Sequence, residues 1–215
     1  MHQDQMAQQR LQDEGGFNGD RIAECRLATL VAHGTDWLKS VVEKSDLAGA
    51  TLSGARVRET LFSHTQLRQA RFKEARLERV DFYFDDLNEF EGQGLTARRC
   101  KWHGCQLMNA NFKGAQFSIC RFEDGQLDRA KFEGALLVRT AFVDGRNGGA
   151  SLAKADFSGA RLVDVQFRSA NLLGASFRNA TLVGVDFTDA TGLYADAFSG
   201  AALIACLLPA GLSLP

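Results

Sequence analysis

A bulky apolar residue recurs at every fifth position of this 215-residue chain, from Phe17 to Phe187. This register has 35 positions, and 31 of them are Phe, Leu, Ile, Val or Trp. A helix favours an apolar spacing near 3.6 and a half-buried strand a spacing of about 2, so neither element alone explains the pattern. Thirteen of the sixteen phenylalanines lie in the register. The sequence therefore predicts a fold built from a repeated five-residue unit, the pentad.

A second position of each pentad, two residues before the bulky one, is small. It is Ala, Ser, Thr, Cys, Gly or Val in 30 of 35 pentads. Some exceptions exchange the two sizes, since Phe90 precedes Gly92 and Leu95 precedes Ala97. Such compensation predicts that both positions point into one interior of fixed volume.

The three remaining positions of each pentad are mostly polar, so we expect them to face water. Twelve glycines fall on the second residue after the bulky one, as at Gly49 and Gly114. The third residue of a type II turn needs a positive φ, which suits glycine. Each pentad is therefore predicted to be a short extended piece followed by a sharp turn.

Pentads such as SDLAG at 45–49, ANFKG at 110–114 and ADFSG at 155–159 resemble the pentapeptide-repeat family. Its unit is A-(D/N)-(L/F)-x-x, and the resemblance extends over residues 15–189. The resemblance implies an all-β solenoid, a right-handed four-sided β-helix with four pentads in each coil. The 35 pentads would form about nine coils, with small irregular or helical caps at the ends.

Four pentads per coil place residues that are twenty positions apart directly above one another. Bulky residues would then form ladders inside the coil, each side chain stabilising the fold by about 1.5–3 kcal/mol. The residues expected to form this structural core are Phe62, Phe72, Phe82, Trp102, Phe112, Phe122, Phe132, Phe142, Phe157, Phe167, Phe177 and Phe187.

Four inward positions depart from the pattern, namely Asp85, Phe90, Gly92 and Asn147. Asn147 lies in the glycine-rich segment 144–149. We predict an irregular corner at these residues, where a buried polar side chain would need hydrogen-bond partners. The register itself is expected to continue from Phe17 to Phe187 without an insertion.

The two ends of the chain are less regular than its middle. We expect an N-terminal tail at 1–14, either mobile or helical, a β-helix at 15–189 and a C-terminal cap at 190–215. Residues 35–44 could form a helix, although the register favours the coil. The apolar C-terminal end is expected to cover the last coil or to form a dimer contact, giving a monomer or a homodimer.

No group of residues predicts catalysis or ligand binding. Cys100, Cys105 and Cys120 occupy small inward positions, whereas His103 should point outward, so a zinc site is not expected. The neighbours Asp85 and Asp86 should face opposite ways, and no glycine-rich phosphate loop is present. We therefore predict no catalytic, cofactor-binding or metal-binding residues, no cofactor and no enzymatic activity.

The charge balance gives no indication of a nucleic-acid or membrane partner. The chain has 25 basic and 26 acidic residues, and the most basic stretch, 68–101, also contains many acidic residues. The N-terminus resembles no secretory signal, and no apolar run is long enough to span a bilayer. Together with five cysteines, an odd number, these features predict a cytoplasmic protein.

The leading functional prediction is a non-catalytic scaffold that binds another protein. The resemblance implies two alternatives. One is a DNA-mimicking protein that binds gyrase or topoisomerase IV and protects against quinolone-like poisons. The other is an accessory protein of a bacterial secretion system. The balanced charge and the absence of an insertion argue against the gyrase alternative, and no residue favours the secretion alternative.

Overall fold

The computed structural model describes residues 3–143 and 150–213, and these form a parallel β-solenoid of about nine coils. This confirms the predicted all-β solenoid with a small helical element at each end. Helix α1 spans Gln3–Glu14, and the 3-10 helix η1 spans Ala195–Phe198. The strands are β1 Gly16–Asn18, β2 Arg21–Ala23, β3 Asp36–Leu38, β4 Val41–Glu43, β5 Arg56–Arg58, β6 Leu61–Ser63, β7 Arg76–Glu78, β8 Asp81–Tyr83, β9 Thr96–Arg98, β10 Lys101–His103, β11 Gln116–Ser118, β12 Arg121–Glu123, β13 Leu136–Val138, β14 Ala141–Val143, β15 Arg161–Val163, β16 Thr181–Val183 and β17 Ala202–Ile204.

Each coil has four faces, which we number in chain order. Face 1 is a ten-stranded parallel sheet that begins with β1 and β3 and ends with β16 and β17. Face 2 is a seven-stranded parallel sheet that runs from β2 to β14. Faces 3 and 4 are joined by isolated parallel bridges, such as Asp46 with Gln66 on face 3 and Thr51 with Arg71 on face 4.

In the described register the residue two positions after each bulky residue has a positive φ, whether or not it is glycine. Gly49 has φ 67°, and Lys44 and Phe84 have φ 47° and 52° at the equivalent position. At Gly49 the turn closes through the Ala50 N–H, which donates to the Leu47 carbonyl at 3.0 Å. Side chains other than glycine are strained in this left-handed region. The hydrogen bonds between coils therefore impose the turn, and glycine only makes it easier.

The predicted ladders of aromatic rings fill the interior. On the inner side of face 2, stacked rings follow one another with centroid distances of 4.5–5.4 Å and interplanar angles of 3–9°. On the inner side of face 4, Phe112, Phe132, Phe157 and Phe177 stack in the same way. Rings of the two ladders meet edge to face, as Phe132 meets Phe142 at 5.8 Å and 85°. Both arrangements suit the ring quadrupole.

The exchanged pair Phe90 and Gly92 shows that the inward positions share one volume. A Cβ atom at Gly92 would lie 2.9 Å from Phe112 Cδ1 and 3.0 Å from Phe90 Cε1. The Phe90 ring occupies this space and lies between Phe72 and Phe112, with centroid distances of 4.9 and 5.8 Å. The backbone does not need to move to accommodate the exchange.

The expected irregular corner is absent at Asp85, Phe90 and Gly92. Residues 81–95 repeat the order of strand, bridge and turn that neighbouring coils show. The unusual side chains fit because each fills space or forms a hydrogen bond inside a regular coil. The fourth residue of that prediction, Asn147, lies with segment 144–149 outside the described residues.

One coil contains five residues more than the others, so the expectation of a register without insertion is wrong. Partners in adjacent coils are twenty residues apart up to Arg121 and Ala141 and again from Ser151 with Asn171 to Asn171 with Thr191, whereas Thr181 and Ala202 in the last coil are 21 apart. The additional residues fall between Ala141 and Ser151. Because the insertion has the length of one pentad, it leaves the period of five unchanged and cannot be seen by counting. Four pairs across it are 25 residues apart: Gln126 with Ser151, Lys131 with Asp156, Leu136 with Arg161, and Ala141 with Gln166.

Helix α1 covers the N-terminal end of the solenoid. Its residues Ala7 and Leu11 are buried against the first coil. The Asp4 carboxylate accepts a hydrogen bond from the Arg26 N–H at 2.7 Å, and Arg10 forms an ion pair with Asp20. The helix thus shields the apolar end that a solenoid would otherwise expose.

The C-terminal end is closed less completely. Phe198 of η1 stacks on Phe177 at 5.4 Å and continues the face 4 ladder. Strand β17 is the last strand of face 1 in the described chain, and Ile204 and Leu207 beside it are 57% and 59% exposed. Residues 35–44 contain β3 and β4 and no helix.

Candidate functional site

The described interior offers no site for a ligand. Rings in contact along the ladders leave no space between coils for a second molecule. A cleft of about 700 Å³ lies at the N-terminal end, between α1 and the first coil, and is lined by Met6, Arg10 and Ile22 among others. No helix in the described residues is long and apolar enough to cross a bilayer. The outer surface is therefore the place to look for function.

The three central cysteines are closed off inside the coil. The Sγ atom of Cys105 lies 3.4 Å from the Phe82 carbonyl oxygen, and that of Cys120 lies 3.4 Å from the Ala97 carbonyl oxygen. Burial raises the pKa of the Cys105 thiol, which therefore stays protonated. Across residues 3–143 and 150–213, no cluster of His, Cys, Asp and Glu is arranged to hold a metal ion.

Asp85 is the buried carboxyl group of the core. Its Oδ1 atom accepts a hydrogen bond from the Thr65 N–H at 2.6 Å, and Oδ2 has no partner among the described atoms. Burial raises the pKa of Asp85 from 3.8 to about 7, although the Thr65 hydrogen bond lowers it. Asp86 faces the other way and accepts from the Asn88 N–H at 3.0 Å. Since Asp85 is only 1% exposed, it cannot meet a substrate.

An aromatic group on face 2, which we call the Phe84 cluster, consists of His64, Tyr83, Phe84 and His103. Phe84 is 54% exposed, and its ring centroid lies 5.6 Å from that of His64 and 5.1 Å from that of His103. The ring lies over Gly104, where a Cβ atom would come within 2.5 Å of Phe84 Cδ1. A side chain at this glycine would displace the ring, so the sequence specifies the position of Phe84.

Ion pairs form a polar rim beside the Phe84 cluster. The Lys101 ammonium lies 5.4 Å from the Tyr83 ring centroid and 2.8 Å from Glu123 Oε2. Arg121 Nε lies 3.4 Å from the same carboxylate oxygen. The hydrogen bond from Lys101 lowers the pKa of Glu123, which therefore remains ionised. An exposed aromatic centre with a fixed polar rim is the usual composition of a protein-binding hot spot.

Sequence reasoning did not find the Phe84 cluster. Its members occupy outward positions, for which the period of five predicts only exposure. One signal was available, because Phe84 is among the three phenylalanines outside the register and occupies a turn position. A bulky side chain at positive φ is uncommon.

The structure separates the basic stretch 68–101 into different faces. Arg76, Arg79, Arg98 and Arg99 lie on face 1, where all four side chains are exposed. Lys101 belongs to face 2, beside the Phe84 cluster. Neighbours in sequence thus point in different directions, and the stretch does not form one continuous basic groove.

Comparison with known proteins identifies the repeat. The sequence profile described as "Pentapeptide repeats" matches eight copies over residues 45–82 and 150–189. No curated protein matches the chain in sequence.

Two solved structures with TM-scores of 0.50 and 0.53 show the same fold. A trypsin-treated variant of QnrB1, a plasmid-mediated fluoroquinolone resistance protein, is 21% identical, with a TM-score of 0.53 and 90% coverage of both chains. A second trypsin-treated QnrB1 variant has a TM-score of 0.50 at 21% identity, covering 90% of this chain and 89% of the other. HetL from the cyanobacterium Nostoc, a pentapeptide repeat protein involved in heterocyst differentiation regulation, is 21% identical over 96% of this chain and 97% of its own, with a TM-score of 0.34. Residues 45–82 and 150–189 are thus pentapeptide repeats, and the coil that they form is the one seen in solved pentapeptide-repeat proteins.

Proposed function

We propose that this protein is a non-catalytic scaffold that binds another protein through its outer surface. The observation that carries the proposal is the Phe84 cluster on a solenoid whose described interior is filled. The Phe84 ring is held between His64 and His103 and over Gly104, yet it leaves 54% of its surface exposed. Folding gains little from such a residue, whereas a partner that buried it would gain a full aromatic contact.

Several features support a binding role over catalysis. The buried groups that could act chemically, Asp85 and Cys105, are 1% and 0% exposed. The exposed groups near the Phe84 cluster are neutralised in pairs, as Lys101 is by Glu123. We further propose that the protein acts in the cytoplasm, where its five free thiols would stay reduced.

Site-specific cross-linking tests the scaffold function. A photoreactive phenylalanine analogue replaces Tyr83 in the full chain, which is expressed in its native cells and irradiated. We expect one specific cross-linked protein that disappears when the same chain also carries Phe84→Ala. The matched control is Leu173→Ala on face 3, which removes a side chain of similar exposure, 51% against 54%, and should leave the cross-link unchanged. Absence of any cross-link, or equal yields with both variants, would contradict the proposal.

A second candidate is the gyrase-binding role implied by the family resemblance. The coil that contains five additional residues removes one of the two objections to it, since the expectation of an uninterrupted repeat is wrong. The test is a gyrase supercoiling assay with a quinolone, with and without the purified protein. Protection at micromolar protein would support this role, and no effect would exclude it. The secretion alternative gains no support from the described residues.

The C-terminal end supports a proposal about assembly. Ile204 and Leu207 are exposed beside β17, whose outer edge has no strand partner in the described chain. We propose that two copies meet at this end, because an open strand edge with apolar side chains favours association. Light scattering should show a dimer that Leu207→Lys converts to a monomer. A wild-type monomer at high concentration would contradict this.

A further inference from the structure

Face 1 carries more cations than carboxylates in the three coils from β5 to β9, with six arginines and two glutamates at 56–59, 76–79 and 96–99. Arg58, Arg76, Arg98 and Arg99 are exposed, and none of them forms an ion pair within 4.0 Å among the described residues, although Glu78 lies in register between Arg58 and Arg98. We call these four residues the arginine patch. They lie on β5, β7 and β9 and on the turn that follows β9, within three successive coils.

The register of face 1 places one pair of like charges next to each other. Arg56 pairs directly with Arg76 across two strands. Like charges directly opposite each other in a sheet are destabilising. Arg56 has some compensation from Asp36, at 3.8 Å, but Arg76 has none in the described structure.

Pairs of opposite charge between coils occur on face 1, as Arg79 with Glu59 at 3.3 Å, and also on the other faces. Cations there meet carboxylates of the neighbouring coil, at 2.6 Å for Arg68 with Glu89 and at 3.4 Å for Lys73 with Glu91. The chain is therefore able to pair its surface charges across coils. The four arginines of the patch form no such pair among the described residues, as is also true of Arg71 and Lys131 on face 4.

The same line of face 1 becomes apolar toward the C-terminus. Val138, Val163, Val183 and Ile204 pair in register across four successive strands, and all four side chains point outward. We call these residues the valine column. It begins two coils after Arg98, with Ser118 between them. At about 4.8 Å per coil, the line from Arg98 to Ile204 is about 24 Å long.

We infer that face 1 is a docking surface for a partner segment that is acidic at one end and apolar at the other. Carboxylates would bind the arginine patch, since one guanidinium group can donate two parallel hydrogen bonds to one carboxylate. Apolar side chains would cover the valine column. An extended segment of about seven residues spans the distance at about 3.3 Å per residue.

The combination of charge and apolar surface favours a protein partner over a nucleic acid. Phosphates would neutralise the arginines but would leave the valine column in water. The net charge of the whole chain, −1, also provides no long-range attraction for a polyanion. The inference rests on the proposed scaffold function and adds a second surface of defined chemistry to it.

Fluorescence anisotropy with the full-length protein tests the surface. The probe is a labelled ten-residue peptide with four glutamates followed by alternating leucine and serine. The comparison probes are a peptide with the leucines replaced by serine and a ten-nucleotide single-stranded DNA. We expect the leucine peptide to bind most tightly.

Matched variants assign the binding to face 1. Arg76→Glu with Arg98→Glu should weaken the leucine peptide by about tenfold or more. Val163→Ser with Val183→Ser should weaken it by about fivefold and leave the serine peptide unchanged. Arg178→Glu on face 4 is the charge control and should change affinity by less than about twofold. Circular dichroism confirms folding, and Arg76→Gln with Arg98→Gln replaces the reversal pair if that pair does not fold.

Two results would overturn the inference. One is equal binding of the leucine peptide to the wild type and to all variants. The other is tighter binding of the DNA, which would make the arginine patch a phosphate site. Either failure leaves the cross-linking at position 83 on face 2 unaffected, so the surface and the scaffold function are tested separately.

Discussion

The coil at residues 76–95 and the coils at residues 157–187 have the same backbone conformation, but different kinds of side chain fill their interiors. The later coils are filled by a regular set of rings, with Phe157, Phe167 and Phe177 alternately stacked and edge to face. The earlier coil contains a carboxyl group at Asp85 and the exchanged pair Phe90 and Gly92. The ladder of backbone hydrogen bonds therefore fixes the coil, and the inward side chains need only to fill its volume and satisfy their polar atoms.

The column of small positions before face 3 shows the same contrast along one line. In the early coils it is polar, since Ser45 Oγ accepts from the Cys25 N–H at 3.1 Å and Asp85 Oδ1 accepts from the Thr65 N–H at 2.6 Å. In the late coils the same column is alanine, as at Ala170. The same coil thus accommodates both polar side chains and alanine at this inward position. Substitutions can measure which side chains it no longer accommodates.

The largest loss of folding stability is expected where a charged residue replaces a ring of the aromatic ladder on face 2. Phe122 lies between Trp102 and Phe142, at centroid distances of 4.5 and 4.8 Å. Phe122→Asp removes both contacts and buries an unpaired carboxylate, which should cost more than about 4 kcal/mol and leave the protein insoluble. The soluble fraction and circular dichroism measure this, with Gln116→Asp on the exposed side as the control. A soluble variant with the wild-type melting temperature would show that the ladder does not stabilise the coil.

The second-largest effect is a pH dependence of folding stability caused by Asp85, whose pKa in the folded protein, about 7, lies above its ordinary value of 3.8. Between these values the folded state holds a proton that the unfolded state has lost. Stability should therefore fall as pH rises from about 4 to about 7, by up to about 4 kcal/mol. Asp85→Thr should remove this pH dependence and be more stable than the wild type at pH of about 8, because threonine already occupies the same slot at position 65.

Urea unfolding midpoints at acidic and alkaline pH measure this difference. Asp86→Asn, on the outer side of the same turn, is the control and should keep the wild-type pH dependence. Parallel pH profiles for the wild type and Asp85→Thr would contradict the assignment.

A smaller effect is expected at the exchanged pair. Gly92→Ala places a Cβ atom 2.9 Å from Phe112 Cδ1, so it should cost about 1–3 kcal/mol through overpacking. Phe90→Ala combined with Gly92→Phe restores the usual order of small and large residues and should recover most of the stability lost by either change alone. A double-mutant cycle of melting temperatures measures the coupling. Additive effects would mean that the two positions do not share volume.

The smallest loss of folding stability is expected for a charge reversal on the surface. From the sequence, Glu123→Lys should be nearly silent because position 123 faces outward. The structure revises this, since Glu123 pairs with Lys101 at 2.8 Å and with Arg121 at 3.4 Å. The substitution places three cations together and should cost about 1 kcal/mol, less at high salt. Melting temperatures at low and high salt test it, with Glu133→Lys on face 4 as a comparison.

The inward residues could be predicted from the sequence, because they pack against one another and therefore recur every five positions. Positions such as Phe122 and Leu127 could be placed without coordinates for that reason. The insertion between Ala141 and Ser151 could not be found, since five residues preserve the period. Outward features were also missed, because Arg56 and Arg76 become neighbours only when the length of the coil is known.

A crystal structure of the full chain tests the filled axis most directly, since the binding proposals rely on the outer surface alone. We expect the Trp102, Phe122 and Phe142 rings to stack with centroid distances near 4.5 and 4.8 Å, with no ordered solvent between them. Rings displaced from one another, or water or ligand density along the axis, would contradict it.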